Sequence, residues 1–249
     1  MFLALIVEDN TAFCDKLYSA LQSRFPFIEL AMAGGVREAL AEIDFARPDL
    51  IFLDVHLGDG NGLDLVWRLR ASGIDAVVIV LTVHDIREYR EEALRCGADR
   101  FMVKGAIDFC DIFDVVQSML ALRFRALIVA KEPAFADQMR SFLTHAEPDT
   151  VIAGATDLDQ ALTIARTLKP NLVVLSTAAR AERERSFCDS VRADQADAGT
   201  VVVSVRDSSR GGNRVSPADY CLNKATAFDE EMSAIVNSLL ASRGQQPAS

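Results

Sequence analysis

Short runs of consecutive apolar residues alternate along this chain with stretches whose apolar positions recur every three or four residues. The first half holds five such runs: Leu3–Val7, Ile28–Met32, Leu50–Asp54, Val77–Thr82 and Arg100–Val103. Amphipathic stretches near residues 11–24, 35–46, 62–71, 86–96 and 108–122 follow them in turn, each with a helical period. Continuously apolar strands separated by helices predict a parallel sheet buried on both faces. Because crossovers between parallel strands are right-handed, the expected fold class is a doubly wound, five-stranded α/β domain.

The pattern then repeats. Ala4-Leu5-Ile6-Val7 with Ala12-Phe13 returns as Ala126-Leu127-Ile128-Val129 with Ala134-Phe135, 122 residues later. The same offset carries Pro48-x-Leu50 onto Pro170-x-Leu172 and Leu81-Thr82-Val83 onto Val203-Ser204-Val205. After residue 204 it shortens by two, so Ala98-Asp99 meets Ala218-Asp219 and Lys104 meets Lys224. Matching order and spacing over almost the whole length indicate a tandem duplication. The expected organisation is a domain over 1–122, a linker at 123–125, a second domain over 126–242 and a disordered tail at 243–249.

Composition narrows the function classes. The 249 residues include 26 Lys plus Arg against 36 Asp plus Glu, a net charge of −10. Affinity for a phosphate backbone comes mainly from Lys and Arg, so direct nucleic-acid binding is not expected. The surplus is uneven: residues 1–123 hold 12 basic and 20 acidic side chains, residues 124–249 hold 14 and 16. The apolar opening, Phe2–Val7, is too short for a signal-peptide core, and no apolar run reaches the length of a bilayer crossing. Five cysteines without a CxxC pair suggest reduced thiols, and hence a cytoplasmic protein with no membrane partner.

Candidate chemistry gathers at strand ends, where open parallel sheets place their sites. Glu8 and Asp9 end the first strand and Asp54 ends the third, its expected neighbour. Three converging carboxylates repel unless a cation or proton joins them. Hard oxygen donors with open positions suit Mg²⁺. Thr82 ends the fourth strand and Lys104 follows the fifth, supplying a hydroxyl and an ammonium. Such a set can receive a phosphoryl group on Asp54, with cations offsetting its charge.

Residues 1–122 resemble the receiver domain of two-component response regulators, through Glu8, Asp9, Asp54, Thr82 and Lys104 and through Gly62, eight residues past Asp54. The resemblance implies two flavodoxin-like domains in tandem, of strand order 2-1-3-4-5. It implies Asp54 as phosphoacceptor, charged by a histidine kinase or histidine phosphotransfer protein. It further implies Mg²⁺ held by Asp9, Asp54 and the backbone carbonyl of His56, with Glu8 acting through water. Thr82 and Phe101 take the family's switch positions, and His56 and His84 the positions that tune phosphoryl lifetime. Where the family often has prolines, this chain has Gly58 and Gly105. Two competing readings fit less well. Gly58-x-Gly60-x-Gly62 lacks dinucleotide-binding spacing and context, and a haloacid-dehalogenase-like phosphatase needs a second Asp where His56 stands. The protein is therefore not expected to be an enzyme beyond transfer to its own Asp54.

At matching positions the second half has Ala130 and Lys131 for the acidic pair, Ser176 for Asp54, Ser204 for Thr82, Cys221 for Phe101 and Lys224 for Lys104. Without an acceptor carboxylate, it resembles a pseudo-receiver used for docking or dimerisation. The stretch 207–217, with two glycines and a Ser-Pro, is expected to be a loop in place of a helix. No segment remains for a separate output domain, so output is expected through a downstream protein partner or a homodimer. The alternative is a phosphate sink or relay intermediate with a scaffolding second domain.

Overall fold

A computed structural model describes residues 2–83, 86–106, 108–177, 179–194, 199–206, 217–224 and 228–243. In chain order the elements of the first half are β1 (Leu3–Val7), α1 (Thr11–Arg24), β2 (Glu29–Ala33), α2 (Val36–Ala46), β3 (Leu50–Asp54), β4 (His56–Leu57), β5 (Gly60–Asn61), α3 (Gly62–Ala71), β6 (Val77–Thr82), α4 (Arg87–Cys96), β7 (Arg100–Val103) and α5 (Phe109–Ala121). The second half continues with β8 (Arg125–Ala130), α6 (Pro133–Ala146), β9 (Val151–Ala155), α7 (Leu158–Leu168), β10 (Leu172–Ser176), α8 (Ala181–Ala193), β11 (Val201–Arg206), β12 (Tyr220–Asn223) and α9 (Phe228–Arg243). The chain forms two compact units, Met1–Ser118 and Met119–Ser249.

Each unit is built on one five-stranded sheet, of order β2-β1-β3-β6-β7 in the first and β9-β8-β10-β11-β12 in the second. All neighbours within these two sheets run parallel. Counted within each unit, both have the order 2-1-3-4-5, the flavodoxin-like arrangement. Helices on both faces explain the unbroken apolar strands: every residue of Leu50–Asp54 is buried, and so is every residue of Arg125–Ala130. The small hairpin of β4 and β5 is antiparallel, pairing His56 with Asn61 and Leu57 with Gly60. The spaced glycines at 58, 60 and 62 therefore shape a turn directly after β3.

The helices start where side chains satisfy their open amides. Asn10 caps α1 through the Phe13 amide at 3.1 Å, Asn61 caps α3 through Leu63 at 2.9 Å, and Asp157 caps α7 through Asp159 and Gln160.

Polar braces recur at the two copies' equivalent positions. The Leu3 amide donates to Asp49 and the Arg125 amide to Asn171. Arg70 pairs with Asp99 and Arg192 with Asp219, each at 2.8 Å. The Val78 amide donates to the Asp99 carboxylate and the Val202 amide to that of Asp219, each at 2.7 Å.

Those braces correct one alignment. Leu50 pairs with Val77, whereas Leu172 pairs with Val201, so the offset is already 124 along β11. Ser204 thus corresponds to Val80 inside the sheet, and Arg206 corresponds to Thr82. The backbone agrees, because the Lys104 amide donates to the Thr82 carbonyl and the Lys224 amide to the Arg206 carbonyl. Cys221 retains its match to Phe101, opposite Ser204 as Phe101 is opposite Val80.

At the junction, Phe124 is fully buried in the second unit's core and Arg125 opens β8, which takes both out of the expected linker. Arg243 closes α9. Residues 244–249 of the expected tail, 207–216 of the expected loop and His84 lie outside the described residues.

Candidate functional site: an acidic cluster closed by a lysine

The site of the first unit lies at the carboxyl ends of β1, β3, β6 and β7. Pairing of β1 with both β2 and β3 sets Glu8 and Asp54 side by side, and the Glu8 amide is fixed by the Ala33 carbonyl at 2.9 Å. Glu8, Asp9 and Asp54 bring carboxylate oxygens within 4.8 Å of one another. Glu8 and Asp54 are buried, while Asp9 is exposed.

Lys104 closes the inner side. Its Nζ lies 2.5 Å from Glu8 Oε2 and 2.7 Å from Asp54 Oδ2, and all three side chains are about nine-tenths buried or more. The ammonium also sits over the Phe13 ring, 4.7 Å from its centroid. Burial pushes the Glu8 carboxyl above its ordinary value, opposed by the hydrogen bond and charge of Lys104 and reinforced by the charge of Asp54. One cation among three carboxylates leaves the cluster short of positive charge. A hard dication with open positions toward solvent fits these donors, and Asp9 offers such a side.

The remaining positions surround this cluster. Thr82 is fully buried, one residue beyond Leu81, which lies opposite Asp54. The His56 amide is 3.4 Å from Asp54 Oδ1. The His56 ring is exposed and meets Tyr89 of α4, edge to face, at 5.6 Å between centroids. Phe101 is half-buried, with the Arg90 guanidinium over its ring at 5.1 Å. Gly62 is required by packing: a Cβ there would meet the Asp54 carbonyl oxygen at 2.0 Å. Tyr89 and Arg90 lay hidden in the sequence, because neither stands at a strand end.

The corresponding end of the second sheet has other chemistry. Ala130 is buried, Lys131 exposed and Ser176 half-buried. Lys224 keeps its aromatic seat, 4.7 Å from the Phe135 centroid, but pairs with the exposed Glu132 at 3.3 Å. Glu184, 122 residues after Gly62, is a buried carboxylate. It lies 3.4 Å from the Thr177 hydroxyl and 3.5 Å from Arg206 Nη2. Among the described residues, the only cluster of three or more metal-ligating side chains is that of Glu8, Asp9 and Asp54.

The family model described as "Response regulator receiver domain" matches residues 4–117. The acid tolerance regulatory protein ActR of Sinorhizobium medicae is 30% identical over 136 residues, covering 55% of this chain and 67% of that protein. The chain belongs to the response-regulator family. Its receiver also resembles the response regulator MprA of Mycolicibacterium vanbaalenii, 37% identical over 100 residues, which are 40% of this chain and 42% of MprA. A solved two-component response regulator from Clostridium difficile is 25% identical, covering 49% of this chain and 97% of that one, with a TM-score of 0.45. No helix among the described residues is long and apolar enough to cross a membrane.

Proposed function

We propose that this response regulator is switched by phosphorylation of Asp54 and that its second unit is a non-phosphorylated docking or dimerisation module. The observation that carries the reading is the Lys104 ammonium held between the buried carboxylates of Glu8 and Asp54, with Asp9 on the open side. In the proposed transfer, an Asp54 carboxylate oxygen attacks phosphorus of a phosphohistidine on a kinase or phosphotransfer protein. The bond from phosphorus to the imidazole nitrogen breaks, its electron pair returns to the imidazole, and an acyl phosphate forms. Lys104 offsets charge on the phosphoryl oxygens, and the Thr82 hydroxyl donates to one of them. Asp9, Asp54 and the His56 carbonyl would hold Mg²⁺, with Glu8 acting through water, and the metal supplies further charge neutralisation.

Output follows from a shift between two conformations that differ in their affinity for the phosphoryl group. Movement of Thr82 and inward turning of Phe101 carry the change to the surface formed with Arg90. His56 and His84 tune access of the hydrolytic water. The net charge of −10 favours a protein partner over nucleic acid. Five free cysteines favour the cytoplasm.

Beryllofluoride or acetyl phosphate treatment, read by intact mass and oligomeric state, tests the reading. Wild type gains one phosphoryl group from acetyl phosphate and Asp54→Asn gains none, while replacing His56 and His84 with Ala changes the decay rate of the phosphorylated form. A wild type that takes up no phosphoryl group overturns the switch. Uptake followed by rapid return to a phosphotransfer histidine, without a new complex, selects the relay reading.

A further inference from the structure

The loop that follows Asp54 is tied down at both ends. At its base the Gly62 amide donates to the Val55 carbonyl at 2.8 Å, and Asn61 caps α3. At its tip the turn residue Asp59 reaches across to α2. Its carboxylate accepts the Val36 amide at 2.7 Å and the Arg37 amide at 3.1 Å, and Arg37 Nε lies 3.6 Å away. Helix α2 has no side-chain cap of its own, because its N-cap residue is Gly35. Asp59 supplies that cap from another part of the chain. The amides of Arg37 and Val36, with the charge of the Arg37 guanidinium, hold its carboxyl below the ordinary aspartate value.

Gly35 is shaped to this contact. A Cβ there would lie 2.4 Å from Asp59 Oδ1, and the three nearest atoms all belong to the Asp59 carboxylate. The hairpin so anchored runs beside the acidic cluster, and a Cβ on Gly58 would stand 3.8 Å from Asp9 Oδ2. Its other strand carries His56, whose amide faces Asp54.

We propose that Asp59 is a positioning residue for the metal site, holding the 56–61 hairpin so that the His56 backbone carbonyl stays in line with Asp9 and Asp54. The inference rests on the metal-site reading above. A main-chain ligand has no side chain of its own to lock it, so its position depends on what anchors the loop. Loss of an outer partner bonded directly to a metal ligand weakens metal affinity by about 10- to 100-fold, and a partner acting through the loop belongs at the lower end of that range.

Stability and positioning can be separated here, because the cap can be returned to α2 without the tether. In Asp59→Ala the space beside Gly35 is vacated. The extended backbone of Gly35, φ −175° and ψ 177°, then accepts a serine that caps the helix locally. Mg²⁺ binding to the full chain is measured by titration calorimetry alongside thermal melting, with Asp54→Asn as the reference for a lost ligand. Asp59→Ala is expected to lower both Tm and Mg²⁺ affinity, the latter about tenfold. Asp59→Asn, which keeps one oxygen for the Val36 amide but sets an NH2 group against the Arg37 amide, is expected to fall between wild type and Asp59→Ala in both Tm and affinity. Adding Gly35→Ser to Asp59→Ala restores Tm but leaves the Mg²⁺ affinity low. Wild-type affinity in Asp59→Ala, or its return together with Tm in the double variant, overturns the positioning role while leaving the metal site intact. A wild type that binds no Mg²⁺ overturns the metal-site reading and the positioning role together.

Discussion

The two sheets end alike in backbone and unlike in charge. Both place a lysine over a phenylalanine at 4.7 Å, and both brace the neighbouring strands with an Arg–Asp pair. In the first, the lysine bridges two buried carboxylates beside a third. In the second, the lysine pairs with an exposed glutamate, and a buried carboxylate from the helix meets an arginine where the first has Thr82. The frame that positions functional groups therefore persists without the groups themselves. A shared fold licenses no shared chemistry, which belongs to particular side chains at the strand ends.

The largest contrast is expected from the two lysines. Lys104→Met leaves Glu8 and Asp54 buried without their shared cation, and breaking such a buried pair costs about 3–5 kcal/mol. Lys224→Met removes a pair whose glutamate is 71% exposed, and exposed pairs are worth about 0–1 kcal/mol. Urea unfolding in EDTA at neutral pH, resolved for each unit, measures both. Mg²⁺ should return part of the stability to Lys104→Met and none to Lys224→Met. Equal losses in the two variants would erase the energetic difference between the sites.

Much of this comparison is legible in sequence, and the misalignment of Ser204 has a physical cause. Continuous apolar runs announce parallel strands, and carboxylates at their ends announce the cluster. The displacement in β11 is invisible to that signal, since side chains alternate with a period of two and a two-residue shift preserves both faces. Val201-Val202-Val203-Ser204-Val205 therefore aligns plausibly at either offset. The brace decides it: Val202 meets Asp219 as Val78 meets Asp99, which moves Ser204 inward and brings Arg206 to the strand end. Asp59 was illegible for another reason. Its partners lie 23 and 22 residues away on another helix, and the local pattern around it reads only as a turn.

Gly62 and Glu184 give the next effect. Helix α3 begins at Gly62, directly against the Asp54 carbonyl, whereas α8 begins three residues before Glu184. That earlier start gives a side chain room in the second unit and none in the first. Gly62→Ala puts a methyl group 2.0 Å from a backbone oxygen, an overpacking expected to cost about 3 kcal/mol, at the upper end for such insertions. It should also displace β3 and, on the proposed function, suppress phosphoryl uptake. Thermal unfolding and uptake from acetyl phosphate check the two effects. A variant with wild-type values in both would show that the loop yields freely, and the steric distinction between the copies would fall.

The smallest effect tests whether the carboxylate in the second unit is a burden or a support. Burial pushes Glu184 above the ordinary glutamate value of 4.5, against the charge of Arg206 and the hydrogen bonds of Thr177 and Arg206. The folded chain thus holds this proton more tightly than the unfolded chain. Stability associated with Glu184 is fully present below 4.5 and declines as pH rises through the folded-state value. Glu184→Gln keeps the shape and an acceptor for Thr177 while removing the titration. The variant should show a flatter stability profile above pH 4.5, with its gain over wild type growing until Glu184 is fully ionised. Denaturant midpoints for the second unit across pH 4–8 measure this directly. A wild type that instead gains stability over that range, relative to the variant, would mean that Arg206 outweighs burial. The Glu184–Arg206 pair would then stabilise the second site much as Lys104 stabilises the first.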